Sequence, residues 1–122
     1  MHKKLMYICL MYSKELVKGT LKTIILQLLT SSGKMYGYEI TQKVKLRTNN
    51  KIQLTEGALY PTLHRLEADG MLTTETINYN GRKRKYYTVT TTGTENALSL
   101  TDEFRDFAQT MLSLLHPKPL NT

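Results

Sequence analysis

The sequence has 122 residues, enough for one compact domain with an appended helix, and this length leaves little room for an enclosed active-site cleft beside the core. Its formal net charge is +7. A single cysteine excludes an intrachain disulfide, as is usual in the cytoplasm, and the three histidines match no zinc-binding spacing, so we expect a cytoplasmic protein without metal or cofactor. Residues 1–90 hold 15 Lys and Arg against 6 Asp and Glu, whereas residues 91–122 hold 2 against 4. The basic part favours a polyanionic partner such as nucleic acid.

The N-terminal residues place two lysines before an apolar run over residues 5–12. This order is similar to a short signal peptide, but no small-residue cleavage site follows and the run is too short to span a bilayer. We therefore interpret residues 1–14 as a helical extension and expect no membrane partner. Met11 is an alternative start, and the sequence leaves both starts open.

Apolar spacing predicts three helices in the first seventy residues. Two adjacent apolar stripes indicate one over residues 15–31, and a shorter helix is expected over residues 37–46. The third begins at Thr55, a favourable N-cap residue, and runs to about Asp69. Pro61 is unusual in its second turn, because it removes one backbone hydrogen bond. The stripe of this helix that would face the core is Leu59, Leu63 and Leu66.

Two segments with the alternation of β-strands follow, over residues 71–79 and 84–90. Between them lies Asn80-Gly81-Arg82-Lys83, and Asn-Gly is a strong signal for a tight turn. These segments predict a β-hairpin. Its tip is basic, since four of the five residues 81–85 are cationic, and such a tip would contact phosphates largely without reading sequence.

Residues 94–115 predict a final helix with an apolar seam in steps of three and four. A stripe this wide on a terminal helix favours pairing with a second copy, and the alternative is that the helix folds back onto its own domain. We accordingly divide the chain into a winged-helix domain over residues 15–92, a dimerisation helix over 93–116 and a frayed tail over 117–122. The seam consists of Ala97, Leu100, Phe104, Phe107, Met111 and Leu114.

The order of three helices and a basic hairpin predicts a mainly α fold with a small β-hairpin, a winged helix-turn-helix. In that fold the third helix enters the major groove, and its exposed N-terminal residues meet base edges. Structural roles stay open for some of them: Tyr60 as an edge of the core, Glu56 as a partner of the helix dipole, and His64 as a solvated residue. The candidate base contacts on this helix are Thr55, Glu56, Gly57, Ala58, Tyr60 and His64.

Four stretches of the chain resemble the PadR family of bacterial transcription regulators. They are residues 16–21 (LVKGTL), 36–40 (YGYEI), 56–70 (EGALYPTLHRLEADG) and 81–87 (GRKRKYY). The third stretch is long and specific, and the unusual Pro61 is part of the family pattern. The resemblance implies a winged-helix dimer that binds double-stranded DNA, usually as a repressor. It also implies DNA contacts at Tyr38, Thr55, Gly57, Tyr60, Arg82, Lys83 and Arg84.

The length of the chain is similar to that of the small PadR type, which has a single C-terminal helix. In that type the last helix, with the N-terminal helix, forms the dimer interface, which would place Leu100, Phe104, Phe107, Met111 and Leu114 between the two copies. Some relatives bind planar apolar compounds at the dimer centre. Phe104, Phe107 and Met111 would line such a pocket for a small aromatic or apolar effector, although phenylalanines at heptad positions are more often plain packing.

The prediction is a DNA-binding regulator acting on a palindromic operator, and two other classes of function are its alternatives. A winged helix can also be a protein–protein interaction module, whose basic surface would meet an acidic protein. An enzyme is not expected, because the sequence has no nucleophile–base pair, metal cluster or phosphate-binding loop.

Overall fold

A computed structural model describes residues 11–116, so the first ten residues of the predicted N-terminal extension and the predicted frayed tail at 117–122 lie outside it. The described chain is mainly helical with a small antiparallel sheet, as predicted. In chain order the elements are α1 (Lys14–Lys18), α2 (Leu21–Ser32), β1 (Met35–Tyr36), α3 (Gly37–Arg47), α4 (Glu56–Ala68), β2 (Leu72–Tyr79), β3 (Arg82–Val89) and α5 (Thr91–Leu115).

The helix predicted over residues 15–31 is two helices, because the chain breaks at Gly19 and Thr20. The Thr20 backbone N–H and hydroxyl both donate to the carbonyl of Val17, each at 2.9 Å, which closes α1 with a tight turn. None of the residues of α1 is buried, and its Leu16 is 65% exposed, so the apolar spacing over residues 15–31 does not form one continuous buried face.

The core lies between α2, α3, α4 and one face of the sheet. The predicted inward stripe of α4 is confirmed, since Leu59, Leu63 and Leu66 are all buried. Pro61 lies inside α4 without ending it. Burial of these side chains provides the main driving force that holds α4 against the domain. The largest fully buried side chains are Tyr87, Ile25, Leu26, Leu29, Ile40, Leu59, Leu63, Leu66 and Leu72.

The hairpin of β2 and β3, which we call the wing, has a two-residue turn at Asn80 and Gly81. Both residues have positive φ, 50° and 78°, the geometry of a type I′ turn whose twist matches that of the flanking strands. The turn is therefore shorter than predicted. Arg82 and Lys83 are the first residues of β3 and pair with Tyr79 and Asn78.

The sheet has a third strand that the sequence analysis missed. β1 pairs with β3 over two residues, Met35 opposite Tyr87 and Tyr36 opposite Tyr86, so the strand order is β1-β3-β2. Because side chains alternate along a strand, Met35 and Tyr87 face the core while Tyr36 and Tyr86 lie on the outer face. β1 thus attaches the base of the wing to the start of α3.

The last helix begins three residues earlier than predicted, at Thr91. Thr90 is its N-cap: the hydroxyl accepts from the Gly93 N–H at 3.0 Å and donates to the Gly70 carbonyl at 2.7 Å. Gly93 and Ala97 are buried, so the first turns of α5 complete the core of the domain. Beyond residue 101, α5 has no buried residue.

Candidate nucleic-acid interface

The N-terminal turn of α4 is open to solvent. Thr55 is the N-cap, as predicted, and its hydroxyl accepts a hydrogen bond from the Ala58 N–H at 3.3 Å. Thr55, Glu56, Gly57 and Ala58 are all exposed, because Leu59 is the first residue of α4 that turns inward. The Thr55 hydroxyl keeps its own proton for donation, and the positive end of the helix dipole adds to the attraction for an anion.

Tyr60 is only partly exposed. It is half-buried and packs on the core, and a Cβ atom at Gly37 would collide with its hydroxyl and ring. The ring of Tyr60 therefore lies at the edge of the core, the structural role that the sequence left open for it. The first turn of α3 therefore lies directly against α4. Tyr38, one residue after Gly37, is 62% exposed, and His64, one turn after Tyr60, is exposed.

The four cations predicted at the hairpin tip have different surroundings. Arg82 and Lys83 are exposed, and within residues 11–116 neither forms a salt bridge or a cation–π contact. Arg84 is half-buried, with its guanidinium 4.5 Å from the ring centroids of both Tyr36 and Tyr79. Lys85 lies on the other face of β3. Arg82 and Lys83 are therefore the wing cations that are exposed and, within residues 11–116, have no ion-pair or cation–π partner.

Lys85 connects the wing to α4 through Glu67. Its ammonium lies 3.4 Å from one carboxylate oxygen of Glu67, and the Thr74 hydroxyl donates to the other at 2.9 Å. The hydrogen bond from Thr74, followed by Lys85, holds the pKa of Glu67 below its ordinary value. This network was not predicted, because the three partners lie on separate elements. It ties the second half of α4 to both strands of the wing.

A second ion pair lies on the outer face of the sheet. The Lys34 ammonium is 2.7 Å from the Glu75 carboxylate, and this hydrogen bond and the charge attraction raise the pKa of Lys34. Both side chains are about half exposed. Lys34 is therefore paired within the protein and is less available to a polyanion than Arg82 and Lys83.

The predicted dimer residues lie along α5 and differ in exposure. Leu100 is half-buried against the core, and Met111 is also half-buried. Phe104 is 45% exposed, Phe107 57% and Leu114 70%. The second half of α5 thus carries an apolar surface that the described part of the chain leaves uncovered.

A groove of about 840 Å³ runs between α1, the start of α2, and α5. Of the three residues predicted to line an effector pocket, Phe104 and Phe107 lie in its wall, whereas Met111 does not. The opposite wall, to which Tyr12 and Leu16 contribute, was not predicted, because the apolar spacing indicated one longer helix over residues 15–31. The groove is open and mainly apolar.

Within residues 11–116, no group of His, Cys, Asp and Glu side chains could hold a metal ion. None of the helices in this part of the chain combines the length and apolar character needed to cross a membrane.

Comparisons with known proteins agree with this architecture. The profile of the "Transcriptional regulator PadR-like family" matches residues 25–98. An uncharacterised protein of Lysinibacillus sphaericus is 35% identical over 97 residues, which cover 79% of this chain and 88% of that protein.

Two solved structures are similar in fold. A transcriptional regulator from Clostridium thermocellum superposes with a TM-score of 0.78 at 27% identity, covering 86% of this chain and 99% of its own. A PadR family transcriptional regulator from Eggerthella lenta superposes with a TM-score of 0.75 at 28% identity, covering 85% and 88%. The family profile spans α2 to the start of α5, which is the winged-helix part of the chain. The chain therefore belongs to the PadR-like family, and it is a winged-helix, DNA-binding transcriptional regulator rather than an enzyme.

Proposed function

We propose that this regulator is a repressor that binds a palindromic operator as a homodimer, with the first turn of α4 in the major groove. The observation that carries the proposal is the exposure of residues 55–58 at the start of a helix whose opposite face is buried. A helix held in this way can approach the floor of the major groove without losing core contacts.

The base contacts come from the exposed face of α4. Gly57 and Ala58 are small and exposed, so the backbone can approach the base edges closely. The Thr55 hydroxyl can donate to a base acceptor or a phosphate, and the Glu56 carboxylate can accept from a cytosine amine. His64 extends this face by two turns of helix. Tyr60 contributes through its exposed edge and by holding α4 against α3, while Tyr38 reaches the DNA from the start of α3.

Arg82 and Lys83 add affinity that depends little on sequence. Both are exposed at the start of β3, immediately after the tight turn, and neither is engaged by a carboxylate in the described part of the chain. Cations placed in this way contact phosphates and release counterions from the duplex. This contribution supports binding to any DNA and leaves discrimination to α4.

The homodimer forms through α5. Phe104, Phe107 and Leu114 are exposed on a helix whose second half has no buried residue, and such an apolar surface favours pairing with an identical helix. A two-fold dimer would place two α4 helices about one turn of DNA apart, so the operator should be a palindrome.

A planar apolar effector would bind beside Phe104 and Phe107. The groove of about 840 Å³ along these residues supports this choice, since aromatic side chains can stack on a flat ligand. Met111, one turn further along α5, would contact the ligand once the partner closes the groove. A ligand that favours a dimer with wrongly spaced α4 helices would weaken operator binding.

The proposal is tested by fluorescence anisotropy of the full chain with DNA from upstream of its own gene and with a shuffled duplex of equal length. We expect tighter binding to the upstream DNA and affinity for both duplexes that falls as salt rises. Equal, salt-independent affinity for the two duplexes would contradict the proposal. A reporter gene behind the same DNA should be transcribed less when the regulator is present, and higher transcription would rule out repression.

A further inference from the structure

The outer face of the wing carries an arginine between two aromatic rings. Arg84 lies on β3, the central strand, and its guanidinium is 4.5 Å from the ring centroids of Tyr36 on β1 and Tyr79 on β2. We infer that Arg84 is a positioning residue that joins the three strands and sets the direction of the wing, rather than a phosphate ligand. The inference rests on the proposed function of the wing in DNA binding.

The pairing of the strands explains why one side chain reaches both rings. Tyr36 is opposite Tyr86, two residues beyond Arg84 on the same face of β3. Tyr79 is opposite Arg82, two residues before Arg84. Both tyrosines are therefore diagonal neighbours of Arg84, within reach of a long side chain. The rings of Tyr36 and Tyr86 also meet edge to face, with centroids 5.4 Å apart, which extends the stack toward the base of the wing.

The outer part of the wing needs such a contact. β1 pairs only with residues 86 and 87, so residues 82–85 are paired with β2 alone. A two-stranded hairpin is marginally stable in water, and its direction is set by contacts along its faces. On the inner face the Lys85–Glu67 ion pair supplies one contact, and on the outer face Arg84 supplies the other.

The surroundings of Arg84 differ from those of the other wing cations. Arg82 and Lys83 are exposed, whereas Arg84 is half-buried with a ring on either side. A flat guanidinium can stack on two rings at once, but a lysine ammonium cannot do so with the same geometry. Arg84→Lys therefore keeps the charge that a phosphate ligand needs and removes the stacking that a positioning residue needs.

The experiment compares Arg84→Lys, Arg84→Ala and Tyr79→Leu with the wild type, with Tyr79→Phe as the matched control that keeps the ring. Amide hydrogen exchange is followed by NMR on the full chain without DNA, and the amides of α2 serve as an internal reference for global stability. We expect exchange in residues 77–84 to become faster by roughly 3- to 30-fold in Arg84→Lys, Arg84→Ala and Tyr79→Leu, the range implied by losing one or two exposed cation–π contacts. Tyr79→Phe should exchange like the wild type. The Arg84→Lys and Tyr79→Leu changes should also be non-additive when combined.

The same variants are then titrated with DNA at several salt concentrations. We expect Arg84→Lys to bind DNA more weakly than the wild type although its charge is unchanged. Unchanged exchange in both Arg84 variants, with DNA affinity kept by Arg84→Lys and lost by Arg84→Ala, would overturn the inference and identify Arg84 as a phosphate ligand. Failure of the proposed function is distinguishable from failure of this inference, because the exchange measurement does not involve DNA. The role of the wing in DNA binding fails if Arg82→Ala and Lys83→Ala leave DNA affinity unchanged.

Discussion

The Tyr60 hydroxyl lies against Gly37 at the point where a Cβ atom of any other residue would stand. Gly37 is buried at the first position of α3, and Tyr60 lies in the second turn of α4. This contact brings the starts of the two helices together and leaves Tyr38 exposed beside α4. The relative position of the candidate DNA-contacting residues on α3 and α4 therefore depends on the absence of a side chain at residue 37.

Gly37→Ala should destabilise the domain, because its methyl group collides with the hydroxyl and ring of Tyr60. Overpacking of this kind costs about 1–3 kcal/mol. The free energy of unfolding is measured in urea. Combining Gly37→Ala with Tyr60→Leu should cost less than the sum of the two single changes, since the smaller side chain removes the collision. An unfolding midpoint for Gly37→Ala equal to that of the wild type would disprove the contact.

Gly57→Ala should have the opposite effect on stability and a separate effect on function. A Cβ atom at Gly57 meets no atom within 4 Å, so the helix should gain up to about 1 kcal/mol from the change. The added methyl group keeps α4 from approaching the bases, so affinity for the operator should fall by roughly tenfold, equivalent to losing one base contact. Anisotropy with operator and shuffled DNA measures the effect. A loss of the same size on both duplexes would exclude a contact with bases.

Arg82→Ala and Lys83→Ala should each weaken binding to every DNA sequence. Each change removes one proposed phosphate contact, so the slope of log affinity against log salt should become shallower by about 0.9. Arg105→Ala is the matched control, because Arg105 is an exposed arginine on α5 that pairs with Asp102. A slope that changes in the control as much as in the wing variants would show that the effect is one of net charge alone.

Phe107→Glu should dissociate the proposed dimer. Phe107 is 57% exposed in the single chain, and burying its ring in a helix pair stabilises the dimer, so the dissociation constant should rise by roughly 10- to 100-fold. Sedimentation velocity over a range of concentrations measures the change. Gln109→Glu adds the same charge on the opposite side of α5 and should leave the dimer intact. If both variants sediment like the wild type, α5 is not the interface.

The ion pair and hydrogen bond at Glu67 should make stability depend on pH in the acid range. The pKa of Glu67 is lowered in the folded state, chiefly by the Thr74 hydroxyl and then by Lys85. As pH falls below the ordinary pKa of 4.5, Glu67 is protonated in the unfolded chain while it is still ionised in the folded protein, so the folded state begins to lose stability. The loss is complete once pH has fallen below the lowered pKa that Glu67 has in the folded protein.

Thr74→Val removes the hydroxyl donor while keeping a side chain of similar shape. The pKa of Glu67 should then rise toward its ordinary value, which the carboxyl ¹³C shift reports in an NMR titration. The free energy of unfolding of the variant should also fall less steeply below pH 4.5 than that of the wild type. An unchanged titration curve would contradict the contribution assigned to Thr74.

Elements specified by neighbouring residues were predicted well. The start of α4 follows from a threonine cap and a leucine stripe at helical spacing, both of which act within one helix. The turn of the wing follows from Asn80 and Gly81, because these residues accept the positive φ that a type I′ turn needs. A contact between residues that are close in the sequence produces a recognisable pattern of residue types. For that reason the order of helices and hairpin, and the resemblance to the family, could be predicted from the sequence.

Contacts between distant residues left no such pattern. β1 is two residues long, too short to show alternation, and it exists because β3 offers it a paired edge. The four consecutive cations at residues 82–85 cannot be told apart by their sequence pattern. In the structure, Arg84 stacks on two tyrosines, Lys85 pairs with a carboxylate of α4, and residues 82 and 83 are exposed without such a partner in the described part of the chain. Local propensity settles which helices and turns can form. The packing of elements far apart in the chain decides which of these cations have partners in the protein and which stay exposed without one in the described part of the chain.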